Sequence, residues 1–309
     1  MTPAVSIIMP CHNAAVHLPA SVGSILKQTF TDWELIAVDD GSSDNTLDWL
    51  QTQSDARIRA LTQTNQGVSA ARNAGLAAAH GNYIAFLDAD DAWSQDFLET
   101  MCAALQGRAD AVLAYCGWQH VRSSGKNGEP FIPPDYENDH KSETLLARCR
   151  WPIHAALTKR SAILAAKGFD SGLKNAEDFA LWLRVAIAAA IVRVPKVMAF
   201  YHLHDGAQAS DDHARAALQH WQAQCTYLDD NPALAAQLGH TRIRKLTLGV
   251  LLEQAYARYW KRDLKAARQI FRTVMKQGYG TLRDWKYMLP AWLPESWHQW
   301  LIGQRDREA

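Results

Sequence analysis

The sequence contains no run of about eighteen apolar residues, the length one helix needs to cross a bilayer. Its longest candidate, Val185 to Val192, falls far short. The five cysteines (Cys11, Cys102, Cys116, Cys149 and Cys225) are scattered, odd in number and free of C-x-x-C spacing. That pattern argues against a disulfide scaffold or a zinc cluster and fits a reducing compartment. The formal net charge is zero, so no overall positive field invites nucleic acid. The zero is a sum of unequal parts: residues 1–240 carry 18 Lys+Arg against 26 Asp+Glu, and residues 241–309 carry 14 against 6. A strand-like segment follows Met1 within a few residues, which argues against a secretory leader. A cytosolic protein, or one held to a membrane from one side, is expected.

What is present centres on Gly81-Asn-Tyr-Ile-Ala-Phe-Leu-Asp-Ala-Asp-Asp-Ala-Trp93. Tyr83 to Leu87 has the continuous apolar character of a strand covered on both faces, and it runs directly into Asp88, Asp90 and Asp91. Carboxylates spaced i and i+2 can turn towards one hard divalent cation, which takes oxygen ligands. A loop of solvated acids capping the next helix is the alternative from these residues alone.

The rest of residues 1–210 alternates strand and helix patterns. Val5–Met9, Trp33–Val38, Ile58–Gln63 and Tyr83–Leu87 read as strands, Leu18–Gln28 as a helix, and an Ala-rich helix follows Gly67. Such alternation predicts a doubly wound, mostly parallel sheet flanked by helices. Ligands bind beyond the carboxyl ends of the strands in these sheets, and Asn13, Asp39, Asp40, Asp88 and Asp90 all fall there. Helices are expected over Asp96–Gln106, Ser142–Arg150 and Glu177 to about Ala190. Further strands are expected over Ala111–Trp118, Ile153–Thr158 and Val192–Tyr201, the last interrupted by Pro195. Residues 122–141 hold three prolines and two glycines and read as a long surface loop of the lid or insert kind.

Five motifs, in order and at their spacing, resemble the inverting family 2 glycosyltransferases of the GT-A fold: Val5-Ser-Ile-Ile-Met-Pro-Cys-His-Asn13, Val38-Asp-Asp-Gly-Ser-Ser-Asp44, Gly67-Val-Ser-Ala-Ala-Arg-Asn-Ala-Gly75, Phe86-Leu-Asp-Ala-Asp-Asp91 and Ala176-Glu-Asp-Phe-Ala-Leu-Trp-Leu-Arg184. The resemblance covers roughly residues 4–205. It implies transfer of a sugar from a nucleotide-diphosphate sugar, UDP-linked in the first instance, to a glycan or lipid-linked acceptor hydroxyl in cell-surface polysaccharide assembly. On it, Asp88 and Asp90 resemble a D-x-D pair holding Mn²⁺ or Mg²⁺ on the diphosphate, with His204 as a further ligand. Asp39, Pro10, Asn13, Arg72, Asp88 and Glu177 look like nucleotide-sugar contacts, and Asp178 looks like the catalytic base. Asp40 could instead brace its turn. Residues 205–212 suit a loop closing over the donor. The family's processive members carry Q-x-x-R-W and transmembrane helices, which are absent here, so one sugar per binding event is expected.

Two other readings stand beside this one. A sugar-phosphate nucleotidylyltransferase would want a glycine-rich basic loop after the first strand, where this chain has Pro10-Cys-His-Asn13. A degenerate scaffold acting through its tail would be expected to have lost motif acids, and none is missing.

Residues 211–309 lie outside the resemblance and read as helices at 213–228, 233–238, 242–261 and 264–277. Ala255, Tyr256, Tyr259, Ala266, Ala267, Ile270 and Phe271 resemble one helix-turn-helix unit of the tetratricopeptide kind. Residues 285–302 place four tryptophans among basic side chains. Such a segment suits the cytoplasmic face of an anionic inner membrane, and the same rings could pack on the catalytic domain or on another subunit.

Overall fold

Buried strands organise the first half of the molecule. All eight residues of β2 (Trp33–Asp40) and six of the seven in β1 (Val5–Cys11) are buried, as expected where helices cover both faces of a parallel sheet. The computed structural model describes residues 2–122, 126–203 and 212–299. It divides into two compact units, Met1–Ala207 and Gln208–Ala309.

In the first unit β1 and β2 are joined by β3 (Ile58–Gln63), β4 (Tyr83–Phe86), β5 (Ala92–Trp93), β6 (Leu113–Arg122), β7 (Ala156–Lys159) and β8 (Ile191–Leu203). The sheet order is β3-β2-β1-β4-β7-β6-β8-β5. β3, β2, β1 and β4 run parallel, β7 is antiparallel to both β4 and β6, and β6 pairs parallel with β8. Helices α1 (Leu18–Leu26), α2 (Thr46–Gln51), α3 (Val68–Ala78), α4 (Phe97–Gly107), α5 (Lys141–Ala147), α6 (Arg160–Ala165) and α7 (Glu177–Ala186) accompany it.

Two elements differ from the sequence expectation, whereas Pro195 interrupts its strand as expected, without ending it. The β6–β8 register steps from Cys116↔Val194 to Gly117↔Val197, so Pro195 and Lys196 sit in a bulge, where a missing N–H costs the ladder nothing. Ile153–Ala155 is a 3₁₀ turn, and the strand begins only at Ala156. The two-residue β5 is too short to carry any periodicity; it exists because Ala92 and Trp93 pair with Phe200 and Ala199.

The long loop is tied down along part of its length. Trp118 and Phe131 exchange backbone hydrogen bonds. The Tyr115 hydroxyl donates to the Pro134 carbonyl and accepts from the Tyr136 amide.

The second unit is helical: α8 (His213–Asp230), α9 (Pro232–Leu238), α10 (His240–Arg244), a π turn at Lys245–Gly249, α11 (Val250–Trp260), α12 (Leu264–Lys276) and α13 (Leu282–Met288). The single helix expected over 242–261 is therefore divided. α11 and α12 form a hairpin whose turn places Arg262 at φ 64°, and Asp263 caps α12 by accepting the Ala266 amide. Leu251, Ala255, Tyr259, Ala267, Ile270, Phe271 and Met288 make its core. Among the described residues, no helix is long and apolar enough to cross a membrane.

Candidate active site

The carboxyl ends of β1, β2 and β4 meet at one rim. Cys11 ends β1 opposite Asp39 on β2, and the Leu87 amide, one residue before Asp88, donates to Ile8 on β1. The Cys11 thiol is pushed up, first by burial and then by the negative charges of Asp39 and Asp88, so both carboxylates flank the end of β1. Asp39 is buried and takes only long contacts, from the Ser42 amide and the Thr62 hydroxyl at 3.4 Å each. Asn13 adopts φ 50°, a left-handed conformation that Asn tolerates. Its Oδ1 accepts from the Ser43 amide at 2.8 Å. Pro10 pairs in register with Val38.

Asp40 is the turn's brace. Its carboxylate accepts the Gln66 and Gly67 amides at 2.8 Å each and the Gln63 side chain at 2.7 Å. Gly67 has φ 89°, which a side chain would strain. This caps α3 and sets its orientation. A Cβ on Gly75 would stand 2.5 Å from Ile8 Cγ2, so glycine lets α3 lie directly on β1.

An adjoining face of α3 reaches towards α7. Ser69, Arg72 and Asn73, spaced i, i+3 and i+4, share that face. The Ser69 hydroxyl donates to the Leu173 carbonyl at 3.4 Å, and Asn73 exchanges two hydrogen bonds of 2.9 Å with the Phe169 backbone. Arg72 is buried, its guanidinium lying 5.3 Å from the Phe169 ring centre. Nη2 donates to Asp88 Oδ1 at 2.7 Å and Nη1 to Glu177 Oε1 at 3.0 Å. Arg72, expected on the nucleotide, thus spans the first D-x-D acid and the residue preceding Asp178.

Asp178 is half-buried in the first turn of α7. Its Oδ1 accepts from the Phe179 amide at 2.6 Å, and the Cys149 thiol stands 3.9 Å from Oδ2. Burial and then the Glu177 charge raise its pKa to about 7, with Arg72 pulling the other way. Raised carboxylates of this kind are suited to general-base work near neutrality. The Tyr201 phenol is pushed up by burial and by the charges of Asp91, Asp88, Asp90 and Asp178.

Asp88 and Asp90 retain partial exposure, whereas Asp91 is 1% exposed. Among the described residues, no three His, Cys, Asp or Glu side chains group as a metal cage. Two carboxylates on an open rim nevertheless fit Mg²⁺ or Mn²⁺, which bind through one or two carboxylates with substrate phosphates completing the shell. His204 and residues 205–211 lie outside the described residues.

Pattern reading missed the partners behind these motifs. Ser69 and Asn73 stand inside a quoted motif and are signalled by their shared helix face. Cys149, Tyr201 and His154 carry no local signal and are brought in only by tertiary folding.

The chain matches the family described as Glycosyl transferase family 2 over residues 6–159. It is 35% identical over 182 residues to the UDP-Glc:alpha-D-GlcNAc-diphosphoundecaprenol beta-1,3-glucosyltransferase WfgD of Escherichia coli, covering 59% of this chain and 69% of that protein. The chain belongs to the family 2 glycosyltransferases. The solved structure of S. aureus TarS in complex with UDP aligns with a TM-score of 0.62 at 18% identity, over 86% of this chain and 80% of that one. The mannosyltransferase PcManGT from Pyrobaculum calidifontis, in complex with GDP-Man and Mn²⁺, aligns with a TM-score of 0.59 at 18% identity, over 99% and 85%. At such identities the likeness shows the fold, a GT-A glycosyltransferase domain with a helical C-terminal region. Family membership sets aside the nucleotidylyltransferase reading.

Proposed function

We propose that this glycosyltransferase moves one sugar, with inversion, from a nucleotide-diphosphate sugar to an acceptor hydroxyl during bacterial cell-surface polysaccharide assembly. The observation that carries the reading is the Arg72 bridge, which brings the D-x-D turn and the Asp178 helix to one site. The donor is a UDP-sugar and the acceptor a glycan or lipid-linked sugar. WfgD, whose name specifies UDP-Glc and a diphosphoundecaprenol acceptor, supports that choice.

Asp178 takes the acceptor hydroxyl proton as that oxygen bonds to the anomeric carbon. The bond from the anomeric carbon to the diphosphate breaks, and its electron pair leaves with the diphosphate. Asp88 and Asp90 would hold the divalent cation, with His204, which lies outside the described residues, as the further ligand that the family resemblance suggests. When bound, it stabilises charge on the leaving diphosphate. Asp39, Pro10 and Asn13 line the nucleoside side. Arg72 and Glu177 order the pocket between the two ends, where Arg72 also brings positive charge close to the diphosphate.

A panel of UDP-glucose, UDP-N-acetylglucosamine and GDP-mannose, with and without Mn²⁺, tests the donor assignment by melting temperature and released nucleoside diphosphate. A bound donor at a hundred times its dissociation constant stabilises by about 2.7 kcal/mol. The expected result is a Mn²⁺-dependent shift with a UDP-sugar. No shift with any of the three rejects the donor assignment.

We also propose a place of work for this protein, the cytoplasmic face of the inner membrane. Trp292 and Trp297 are 51% and 65% exposed and Leu282 is 92% exposed. Arg272 and Lys276 stand 5.4 and 5.9 Å from the Trp292 ring centre. Exposed indole beside cations suits an anionic lipid surface, whereas Trp285 packs against the helical unit's own core. Flotation with phosphatidylglycerol vesicles is expected at low salt and lost in Trp292→Ala. Wild-type protein that stays at the bottom of the gradient excludes the contact.

A further inference from the structure

Behind the D-x-D turn sits a buried polar pair that none of the roles above uses. Asp91 Oδ2 stands 3.0 Å from His154 Nδ1, with the two side chains 1% and 0% exposed. Asp91 Oδ1 accepts the His202 amide of β8 at 3.0 Å, and the Asp91 amide donates to the Asp88 carbonyl at 3.0 Å. His154 occupies the 3₁₀ turn before β7. Its carbonyl accepts from Trp93 Nε1 at 2.7 Å, and its ring centre lies 5.9 Å from that of Tyr201. Neither ring nitrogen of His154, nor Asp91 Oδ2, completes an aligned hydrogen bond, so the 3.0 Å approach is a close buried polar contact.

Such a pair is a poor way to build a core. Burying a carboxyl and an imidazole forfeits hydration, and apolar replacements of similar volume are often neutral or stabilising. Its placement is more informative than its energy. Asp91 is the residue after Asp90 and touches three segments at once: its own turn, the turn before β7 and the end of β8. Carboxylates that bind a cation need their backbone held by such outer contacts.

We infer that Asp91 and His154 are positioning residues: through the Asp91 carboxylate, His154 fixes the D-x-D turn against β8 so that Asp88 and Asp90 present their oxygens together to the donor's cation. This rests on reading Asp88 and Asp90 as cation ligands. Nδ1 is the ring nitrogen that lies against the Asp91 carboxylate.

Substitution at position 154 separates positioning from packing. Asn can keep a polar atom near the place of Nδ1 but leaves a void, whereas Leu fills the volume and removes the contact. Binding of Mn²⁺ in the presence of UDP or GDP, whichever the wild type takes, is followed by the free-ion electron paramagnetic resonance signal. Melting temperature is measured without metal. His154→Asn and Asp91→Asn are expected to hold Mn²⁺ within about threefold of wild type, and His154→Leu to weaken it by about tenfold or more. His154→Leu is also expected to melt at or above the temperature of His154→Asn, so affinity and stability rank in opposite orders.

Affinity that follows melting temperature, or that is unchanged in folded His154→Leu, overturns the inference alone. If His154→Leu does not fold, the Asp91→Asn result decides: loss of Mn²⁺ binding there overturns the inference, and retention supports it. A wild type showing no Mn²⁺-dependent nucleotide binding overturns the reading of Asp88 and Asp90, and this inference with it.

Discussion

Asp178→Asn is expected to lower turnover by about 10²- to 10⁴-fold, the range attributed to a positioned general base, while donor affinity stays within about threefold. Asn keeps the size of the side chain and an oxygen for the Phe179 amide, so the loss reports the missing base rather than a rearranged helix. The pH dependence follows from the same residue. Burial and Glu177 raise its pKa to about 7, and the working form is the ionised one. That fraction falls as pH drops through 7, so kcat/KM should decline about tenfold per pH unit below it and level off above. The charges facing Asp178 are Glu177, Arg72 and Asp88, with the Cys149 thiol beside it. A profile flat from pH 5 to 8 would remove Asp178 from the role of base.

Asp90→Ala should abolish the metal dependence of donor binding, weakening the donor about a hundredfold in the presence of Mn²⁺, as expected when several kcal/mol of cation stabilisation are lost. Asp88→Ala should match that functional loss and add an instability that Asp90→Ala lacks. Asp88 is one of two carboxylates on the buried Arg72 guanidinium. Removing one partner of a buried ion pair costs about 3 kcal/mol, and Glu177 is left as the direct ion-pair partner. Calorimetric titration of Mn²⁺ and nucleotide, paired with thermal melts, separates the two variants. Equal melting temperatures for Asp88→Ala and Asp90→Ala would mean that the Arg72 bridge contributes no stability.

Much of this arrangement is legible in the residue order, because strands buried on both faces announce themselves as apolar runs ending in acids. β2 and β4 are legible in this way, β1 as an apolar run closed by Pro10 and a polar turn, and the parallel connections between them follow. The D-x-D carboxylates and Asp178 were reached through motif resemblance; their shared location depends on Arg72, whose two partners lie 16 and 105 residues away. No periodicity encodes such a distance. The same limit explains β5, defined only by its partner strand, and the 3₁₀ turn at Ile153–Ala155, whose apolar character looks like strand until its hydrogen bonds are drawn. His154 lies inside that stretch and carries no local signal.

The double anchorage of α3 bears on any effort to exchange segments between this glycosyltransferase and its relatives. Ser69, Arg72 and Asn73 grip the segment that leads into α7, while Gly75 seats the same helix on β1. A chimaera that imports residues 168–178 from a relative would bring a foreign key to an old lock. Grafts that replace this segment have to carry both halves together.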